Sequence, residues 1–520
     1  MPERDNYLFM DTSALTRTIG IDDRANETYI LKNLQERFPE ENFLSIYVKH
    51  YADGRYGHKP NLLERWWGSR TYIDCLPEFY EIELIHSTGE HTEDLIVWCP
   101  TVWNGRFAGT TGGGTGIGGR SYLTYPDNTS RGWTVPLALV NGFSAATMNA
   151  NNQKGLKDLT IGKDGRLDQE IYENWCYRST HNMTIFGKAI TEILHDRKIS
   201  YSYMNGGSGG GRQSLMEVQR YPEDYDGVWA VCPAINWHQL MLGGFWPVVV
   251  MKKYDRFISI EKNRYFIQKV HEAYGGDETY YHMSERPVFD AMTLVGQSYG
   301  KGVISEKDAV VMNEIWRGPH KDNGDFLWYG YYPGSQNWNV GIPIGTYYYP
   351  FYNKHMIKPF ILGEYYARWI LEDKSFTYKD MTQEKLEELY DLGAKKFPDC
   401  FVNDPKIDAF VNHGGKLLID HGMDDPLIPT EGSIDYYEKM KGHFGKERLD
   451  TFCRLYITPG DNHGNCWGNG PGLTVSDGMR ALIDWVEKGI APEEIRKVRI
   501  DRKTQKTIEE GHQKPYERYE

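Results

Sequence analysis

Three residues of the sequence have the types that nucleophilic attack on a carbonyl carbon requires, and they occur in the order serine, acid, histidine: Ser208, Asp425 and His463. Ser208 is the centre of Gly-Gly-Ser-Gly-Gly, which matches the G-x-S-x-G pattern of a strained turn that exposes a serine hydroxyl. A histidine can remove the proton of this hydroxyl, and a carboxylate can orient the histidine. Together the three residues predict acyl transfer through a covalent serine ester.

The residues around Ser208 predict a strand, a sharp turn and a helix. Residues 201–204 are rich in aromatic side chains, residues 205–211 are nearly all glycine, and residues 212–220 favour a helix. The amide of Gly209 would then point at a developing oxyanion, next to the positive end of the helix dipole. Turns of this composition also bind phosphate or merely join two elements, so the serine needs partners.

The partners of the serine lie in the loops that follow two later predicted strands. One predicted strand ends at Asp420, and another, residues 452–458, leads into the loop of His463. We choose Asp425 as the acid because it lies in the loop after a late strand, where a hydrolase places its carboxylate. The alternatives are Asp424 and Asp420, and a carboxylate here could also cap the next helix.

A second glycine cluster, the glycine loop of residues 110–119, reads Thr-Thr-Gly-Gly-Gly-Thr-Gly-Ile-Gly-Gly. It lacks the G-x-x-x-x-G-K-[ST] pattern and the strand-to-helix context of a nucleotide site. A glycine-rich loop after an early strand can instead supply the second amide of an oxyanion hole. We assign that role to Gly113 or Gly114.

The order of elements predicts the fold class α/β, with an α/β-hydrolase core around a mostly parallel central sheet. Residues 77–100 predict a hairpin, and strand and helix alternate around Ser208. This alternation stops near residue 235 and resumes near residue 409. We therefore predict a catalytic core of residues 1–234 and 409–520, with a lid domain of residues 235–408.

Aromatic clusters fill the predicted lid. Most of these rings are expected to form its own core, but some should line a pocket above Ser208. The candidates for substrate binding are Trp328, Tyr331 and Trp338.

Composition limits the partners and the compartment. The net charge of -13 and the pI near 5.7 argue against nucleic-acid binding and favour a small-molecule substrate. No signal peptide or membrane-spanning run is apparent, so we expect a cytoplasmic protein without membrane contact. The seven scattered cysteines contain no C-x-x-C pair, and we predict no cofactor and no metal.

Longer motifs in this chain resemble the tannase and feruloyl esterase family of α/β-hydrolases, from about Leu76 to Ile490. The landmarks are Trp103-Asn104-Gly105-Arg106-Phe107, the segment 203–227, Pro233-Ala234-x-Asn236-Trp237, His421-Gly422-x-x-Asp425-Pro426-Leu427-Ile428-Pro429 and Gly468-x-Gly470-Pro471-Gly472. The resemblance implies a catalytic α/β core, an inserted lid and cleavage of an ester of an aromatic acid.

The chain departs from this family at two places. Members commonly have a disulfide between the residue before the serine and the residue after the histidine, but here these are Gly207 and Gly464. Their lid usually has an aspartate-rich calcium loop, whereas residues 275–302 offer only scattered acids, so we expect no calcium. These acids are Asp277, Glu278, Glu285 and Asp290. Both departures fit a reducing compartment.

The leading hypothesis is a serine carboxylic ester hydrolase that cleaves aromatic or phenolic esters. An acyltransferase would use the same three residues, and product analysis with competing alcohols would separate the two. A non-catalytic binding protein of the same fold is the alternative from another class. The presence of serine, acid and histidine together argues against it.

Overall fold

A computed structural model of the chain describes residues 7–59, 72–126, 132–150, 161–162, 164–274, 286–335, 346–349, 354–357, 361–464, 470–501, 504 and 506–517. The strands within these residues are β1 Asn42–Tyr51, β2 Phe79–Ser87, β3 Thr92–Pro100, β4 Arg106–Thr110, β5 Ser144–Asn149, β6 Tyr201–Gly207, β7 Gly227–Val231, β8 Thr346–Tyr349, β9 Lys354–Ile357, β10 Lys416–Gly422, β11 Cys453–Thr458, β12 Gly472–Leu473, β13 Ile495–Ile500 and β14 Thr507–Gln513.

One central sheet of nine strands has the order β1-β2-β3-β5-β4-β6-β7-β10-β11. The pairs β1/β2, β2/β3 and β3/β5 are antiparallel, whereas β5, β4, β6, β7, β10 and β11 run parallel. Parallel neighbours need crossover connections, which are usually helices on the faces of the sheet. The predictions of a mostly parallel central sheet and of the hairpin β2/β3 are confirmed.

Both faces of the sheet are buried. In β7, Val228 and Ala230 belong to one apolar cluster. Trp229 and Val231 belong to the other. Because successive side chains of a strand point to opposite faces, the two clusters are the two sides of the sheet. A strand buried on both sides appears in the sequence as a continuous apolar run, which is how β7 could be predicted.

Helices cover these faces. The α-helices are Ile21–Arg24, Glu27–Arg37, Val135–Val140, Gln169–Glu173, Ser179–His195, Gly209–Arg220, Trp237–Gly243, Trp246–Lys253, Ile260–Ala273, Glu306–Arg317, Ile361–Leu371, Gln383–Lys396, Asp408–His413, Glu431–Phe444, Lys446–Leu449 and Val475–Lys488. Helix Ser179–His195 packs on β3 and β5, and helix Val475–Lys488 packs on β7 and β10 from the other face. The sheet is therefore the middle of three layers.

A long insertion separates β7 from β10, although these two strands are paired in the sheet. Its described residues are mainly helical, and the strands among them, β8 and β9, form a separate two-stranded sheet. The division into residues 1–234 with 409–520 and residues 235–408 stays a prediction.

Two parts of the structure were not predicted from the sequence. The edge strand β1 extends the central sheet, and β12, β13 and β14 form a small antiparallel sheet near the C-terminus. Over the described part of the chain, every helix is too short or too polar to cross a lipid bilayer.

Candidate active site

Ser208 forms a one-residue turn between β6 and the helix Gly209–Arg220, which we call the elbow helix. The sequence predicts a longer turn, residues 205–211. The turn is shorter because the Ser208 amide donates to Val231 O of β7 and the Ser208 carbonyl already accepts from Arg212 N. The serine is left with φ 63° and ψ −123°, a conformation that is rare for a residue with a Cβ.

The glycines after Ser208 allow the glycine loop to approach the elbow. A Cβ at Gly209 would lie 2.1 Å from Gly114 O, and a Cβ at Gly210 would lie 2.1 Å from Thr111 Oγ1. Neither contact is sterically possible. Both positions must therefore be glycine for the glycine loop to pack against the start of the elbow helix. The glycines that follow Ser208 are thus required by packing against the glycine loop as well as by the turn.

His463 joins Ser208 to Asp425. Its Nε2 lies 2.9 Å from Ser208 Oγ, and its Nδ1 lies 2.7 Å from Asp425 Oδ2. Both are hydrogen-bond distances. Ser208 follows β6, Asp425 follows β10 and His463 follows β11, so the three side chains meet at the carboxyl edge of the parallel strands. The structure brings together the three residues that were predicted from the sequence.

The two alternative acids have other surroundings. The amide of Asp424 donates to Asp461 O at 3.0 Å. Asp420 is buried in β10, where Thr458 Oγ1 donates to its Oδ1 at 3.4 Å. Burial raises the pKa of Asp420 to about 7. Of the three candidate acids, Asp425 is the one that accepts a hydrogen bond from the ring of His463.

The carboxylate of Asp425 is buried and accepts four hydrogen bonds. Its Oδ1 accepts from the amides of Leu427 at 2.7 Å and Ile428 at 3.0 Å. Its Oδ2 accepts from His463 at 2.7 Å and from His421 at 3.1 Å. Burial raises the pKa of this carboxyl, but the two imidazoles outweigh it and hold the pKa well below its usual range. The acid is therefore ionised at neutral pH.

His421 is a site residue that the sequence analysis did not select. It lies near the end of β10, and its Nδ1 is 2.8 Å from Ser433 Oγ in the helix Glu431–Phe444. The sequence signal is the spacing in His421-Gly-x-x-Asp425, which places an imidazole four residues before the acid.

The two candidates for the second oxyanion donor are not equivalent. The amide of Gly113 donates to Tyr122 Oη at 2.9 Å, so this donor is already used. Gly114 has φ 60°, and its nitrogen lies 3.1 Å from the position of a Cβ on Gly209. Gly114 is thus the loop residue whose backbone lies beside Gly209, while the prediction for Gly113 does not agree with its hydrogen bond.

A thiol occupies the space next to His463. A Cβ at Gly464 would lie 2.8 Å from Cys232 Sγ and 2.5 Å from Val231 Cγ1, and Gly464 has φ 62°. Cys232 is itself buried, with φ 36°. A side chain at position 464 would need the space that the end of β7 fills, which accounts for the glycine there.

The predicted substrate-binding residues have different surroundings. Trp328 is buried among apolar residues, and a Cβ at Gly243 or Gly432 would lie 3.4 or 3.1 Å from its ring. Tyr331 is also buried, and its Oη donates to Leu427 O at 3.2 Å, next to the acid. Trp338 lies outside the described residues. Of the two predicted substrate-binding residues that the structure describes, Tyr331 is therefore the one that lies next to the loop of Asp425.

Within the described residues, three clusters have side chains spaced closely enough to hold a metal: Asp22 with His50 and Glu78, His181 with Glu217 and Asp224, and Cys232 with Asp425 and His463. In the first, Arg17 bonds both acids, at 2.7 and 3.0 Å. In the second, His181 Nδ1 is 2.7 Å from Asp224 Oδ2. In the third, Asp425 and His463 are hydrogen-bonded to each other as described above, and Cys232 lies next to them.

Of the four acids noted in residues 275–302, Asp290 lies within the described residues. Asp277, Glu278 and Glu285 lie outside the described residues. Asp290 is the acid that remains, and its Oδ1 accepts from Met292 N at 2.9 Å and from Asn313 Nδ2 at 2.7 Å. Its carboxylate caps the helical turn that follows, and the expectation of no calcium stays a prediction.

The strand order, the serine elbow and the serine-histidine-aspartate chain together define an α/β-hydrolase. A model of the family described as "Tannase and feruloyl esterase" matches residues 87–272 and 296–519, and the chain belongs to this family. A protein named "Probable feruloyl esterase" from Arthroderma benhamiae is 30% identical over 429 residues, which are 77% of this chain and 74% of that protein.

Solved structures agree in fold. The "Tannin acyl hydrolase from Aspergillus niger" superposes with a TM-score of 0.77 at 20% identity and covers 97% of this chain and 93% of its own. The "feruloyl esterase B from Aspergillus oryzae" superposes with a TM-score of 0.71 at 21% identity, over 92% of each chain. At these identities the likeness establishes the fold.

Proposed function

We propose that this protein is a serine carboxylic ester hydrolase that cleaves esters of phenolic acids. The observation that carries the proposal is the hydrogen-bonded chain from Ser208 through His463 to Asp425 on a strained elbow. The substrate class is supported by the relatives, which are named feruloyl esterases, and by the family to which the chain belongs.

In the first half-reaction, Ser208 Oγ attacks the ester carbonyl carbon while its proton passes to His463 Nε2. The ionised Asp425 keeps a proton on His463 Nδ1, so that Nε2 is free to accept. It also stabilises the imidazolium that results. When the tetrahedral intermediate collapses, His463 returns the proton to the leaving alcohol and an acyl-serine remains.

In the second half-reaction, water gives a proton to His463 and attacks the acyl-serine. When this second tetrahedral intermediate collapses, His463 returns the proton to Ser208 Oγ and the phenolic acid is released. The carbonyl oxygen becomes an oxyanion in both steps. The amides of Gly209 and Gly114 are our choice of donors, because the backbone of Gly114 packs against Gly209 and Gly209 is the first residue of the elbow helix.

Residues 235–408 would act as the lid that selects the substrate. Tyr331 supports this assignment, because it is an insertion residue that bonds the loop of the catalytic acid. An aromatic ring near the acyl group would favour a planar acid by stacking. Trp328 is buried in the core of the insertion and its role would be structural.

A reducing, cytoplasmic compartment is proposed from the cysteines. Those in the described residues are free thiols: Cys75, Cys99, Cys176, Cys232, Cys400 and Cys453. Disulfides persist mainly in oxidising compartments. Cell fractionation would test this, and recovery of the protein in a secreted or periplasmic fraction would contradict it.

The test of function is a panel of gallate, hydroxycinnamate, benzoate and acetate esters, with wild type and Ser208→Ala. Wild type should cleave the phenolic esters fastest and react with a fluorophosphonate at Ser208. The variant should lose on the order of a million-fold in kcat and stay folded. Preference for a competing alcohol over water would indicate an acyltransferase, and an unlabelled Ser208 would indicate a non-catalytic protein.

A further inference from the structure

Two histidines share the carboxylate of Asp425. Its Oδ2 accepts from His463 Nδ1 at 2.7 Å and from His421 Nε2 at 3.1 Å. The mechanism described above uses His463 and leaves His421 without a part. The side chain of His421 is completely buried. A polar ring is costly to bury unless its nitrogens are hydrogen-bonded, so the bonds of His421 indicate its role.

These bonds fix which nitrogen of His421 carries a proton. Nε2 faces two acceptors, Asp425 Oδ2 at 3.1 Å and Ile428 O at 3.2 Å, so Nε2 is protonated and donates. Nδ1 lies 2.8 Å from Ser433 Oγ, whose hydroxyl donates to it. A continuous chain of hydrogen bonds therefore connects Ser433, His421, Asp425, His463 and Ser208.

We infer that His421 is a positioning residue of the active site: it holds the Asp425 carboxylate in line with His463 and sets how strongly that carboxylate attracts the imidazolium. The inference rests on the proposed function. A hydrogen bond from His421 removes part of the negative charge from Oδ2. The bond also ties the loop of the acid to its own strand, because the same nitrogen donates to Ile428 O.

The other groups around Asp425 do not replace this bond. From the insertion, Tyr331 faces the carboxylate, and burial raises the pKa of its hydroxyl, so it stays neutral. From the end of β7, Cys232 lies within 4.8 Å of the ligand atoms of Asp425 and His463. His463 itself lies in the loop after β11. Asp424 is the residue directly before Asp425 in the sequence. Among the described residues, His421 is the second imidazole that bonds this carboxylate.

Removal of a hydrogen bond to a charged group should lower kcat/KM by about ten- to a hundredfold. Without the His421 donor, Asp425 Oδ2 becomes a stronger acceptor for His463 and favours the imidazolium form. The acidic limb of the kcat/KM profile should therefore move to higher pH. KM should change little, because His421 does not contact the substrate in this role.

The test compares His421→Leu, which removes the donor, with His421→Gln, whose amide can still donate to Asp425. Both are measured against wild type for kcat and KM on one aryl ester across pH, and for the rate at which a fluorophosphonate labels Ser208. His421→Leu should lose kcat and shift the acidic limb upward. His421→Gln should recover most of the rate and the wild-type limb.

Ser433→Ala gives a second measurement that does not alter the imidazole. It removes the partner of Nδ1 and should lower kcat by about two- to tenfold with a smaller shift in the same direction. This variant decides the matter if His421→Leu does not fold.

A folded His421→Leu with the wild-type pH profile would overturn the inference, as would His421→Gln with the same loss as His421→Leu. Unchanged kcat in Ser433→Ala would also overturn it. In each of these outcomes wild type still cleaves the ester and labels at Ser208, so the proposed function stands. Wild type that does neither would overturn the proposed function and this inference with it.

Discussion

Asp425 is a buried anion that is paired with two histidines, His421 and His463. An isolated charge in such a place would cost several kcal/mol, and it would be relieved by protonation. Two amides and two imidazoles supply the compensation instead. The ionised state, and so the orientation of His463, depends on these four donors around one carboxylate.

Asp425→Asn should therefore lower kcat by about ten-thousand-fold, because an amide lets His463 adopt the wrong tautomer. Asp424→Asn is the matched control, one residue away, and should keep activity close to wild type. Steady-state kinetics on one aryl ester would measure both. If Asp424→Asn were the more damaging change, our choice of acid would be wrong.

A second prediction concerns Asp420. Burial raises its pKa from 3.8 to about 7 in the folded protein. Between these values the folded state keeps a proton that the unfolded chain has released, so the free energy of unfolding falls as pH rises and levels off above about pH 7. The full effect is roughly 4 kcal/mol, because one pKa unit corresponds to about 1.4 kcal/mol.

Asp420→Asn removes this titration. Its stability relative to wild type should increase from about pH 4.5 to about pH 8. Urea unfolding of both proteins at these two pH values would show the growing difference. A difference that stayed constant with pH would mean that Asp420 is already ionised in the folded state at the lower pH.

The sequence was informative about the three residues of the hydrogen-bonded chain because each follows a strand with a strong pattern. The serine lies between glycines, and Asp425 and His463 come directly after apolar runs. His421 was not selected despite its spacing from Asp425, because a histidine inside a strand is usually a core residue and its partner Ser433 lies in the next helix. Contacts of this kind depend on the packing of elements, which a local pattern does not specify.

At the scale of elements, the elbow depends on how closely the glycine loop and the end of β7 approach it. The same holds at Gly464, where the neighbours are Val231 and Cys232. These close approaches account for the glycine at position 464.

Gly464→Ala should therefore lower both activity and stability. The new Cβ would lie 2.5 Å from Val231 Cγ1, and φ 62° is strained for alanine. We expect a loss of about 1–3 kcal/mol in the free energy of unfolding and a fall in kcat as His463 shifts. Thermal unfolding and ester kinetics would measure the two effects.

Gly442→Ala is the matched control. This glycine lies in the helix Glu431–Phe444, and a Cβ there meets nothing within 4 Å. Alanine should stabilise this helix by about 0.4–1 kcal/mol without a change in kcat. If Gly464→Ala behaved like this control, the packing around His463 would have room that the structure does not show.

The predicted and the missed elements differ in burial. β6, β7 and β10 lie inside the sheet. β11 is the other edge strand but is largely buried, and all four strands appear in the sequence as short apolar runs between turns. β1 is an edge strand with Leu44 and Tyr47 more than half exposed, so its pattern does not separate it from a surface segment. β12 has two residues, too few for any periodicity.

At the scale of the whole molecule, the insertion and the core share one apolar cluster. Phe266 and Trp328 of the insertion and Val228 and Leu417 of the sheet all belong to it. Tyr331 adds a polar link, because its hydroxyl donates to the loop of the catalytic acid. A change in the insertion can therefore reach the acid through the backbone of Leu427.

Substitutions at Tyr331 should separate this link from substrate selection. Tyr331→Phe keeps the ring and removes the bond to Leu427 O, so kcat/KM should fall by about two- to tenfold for aryl and acetyl esters alike. Tyr331→Leu also removes the ring, and the preference for aryl over acetyl esters should then fall by a further threefold to tenfold, about the worth of one aromatic contact. Tyr265→Phe is the control, because it loses an exposed hydroxyl bond to Gln297 elsewhere in the insertion and should behave as wild type. An unchanged aryl preference in Tyr331→Leu would mean that the ring does not meet the acyl group, and selection would then lie with other residues.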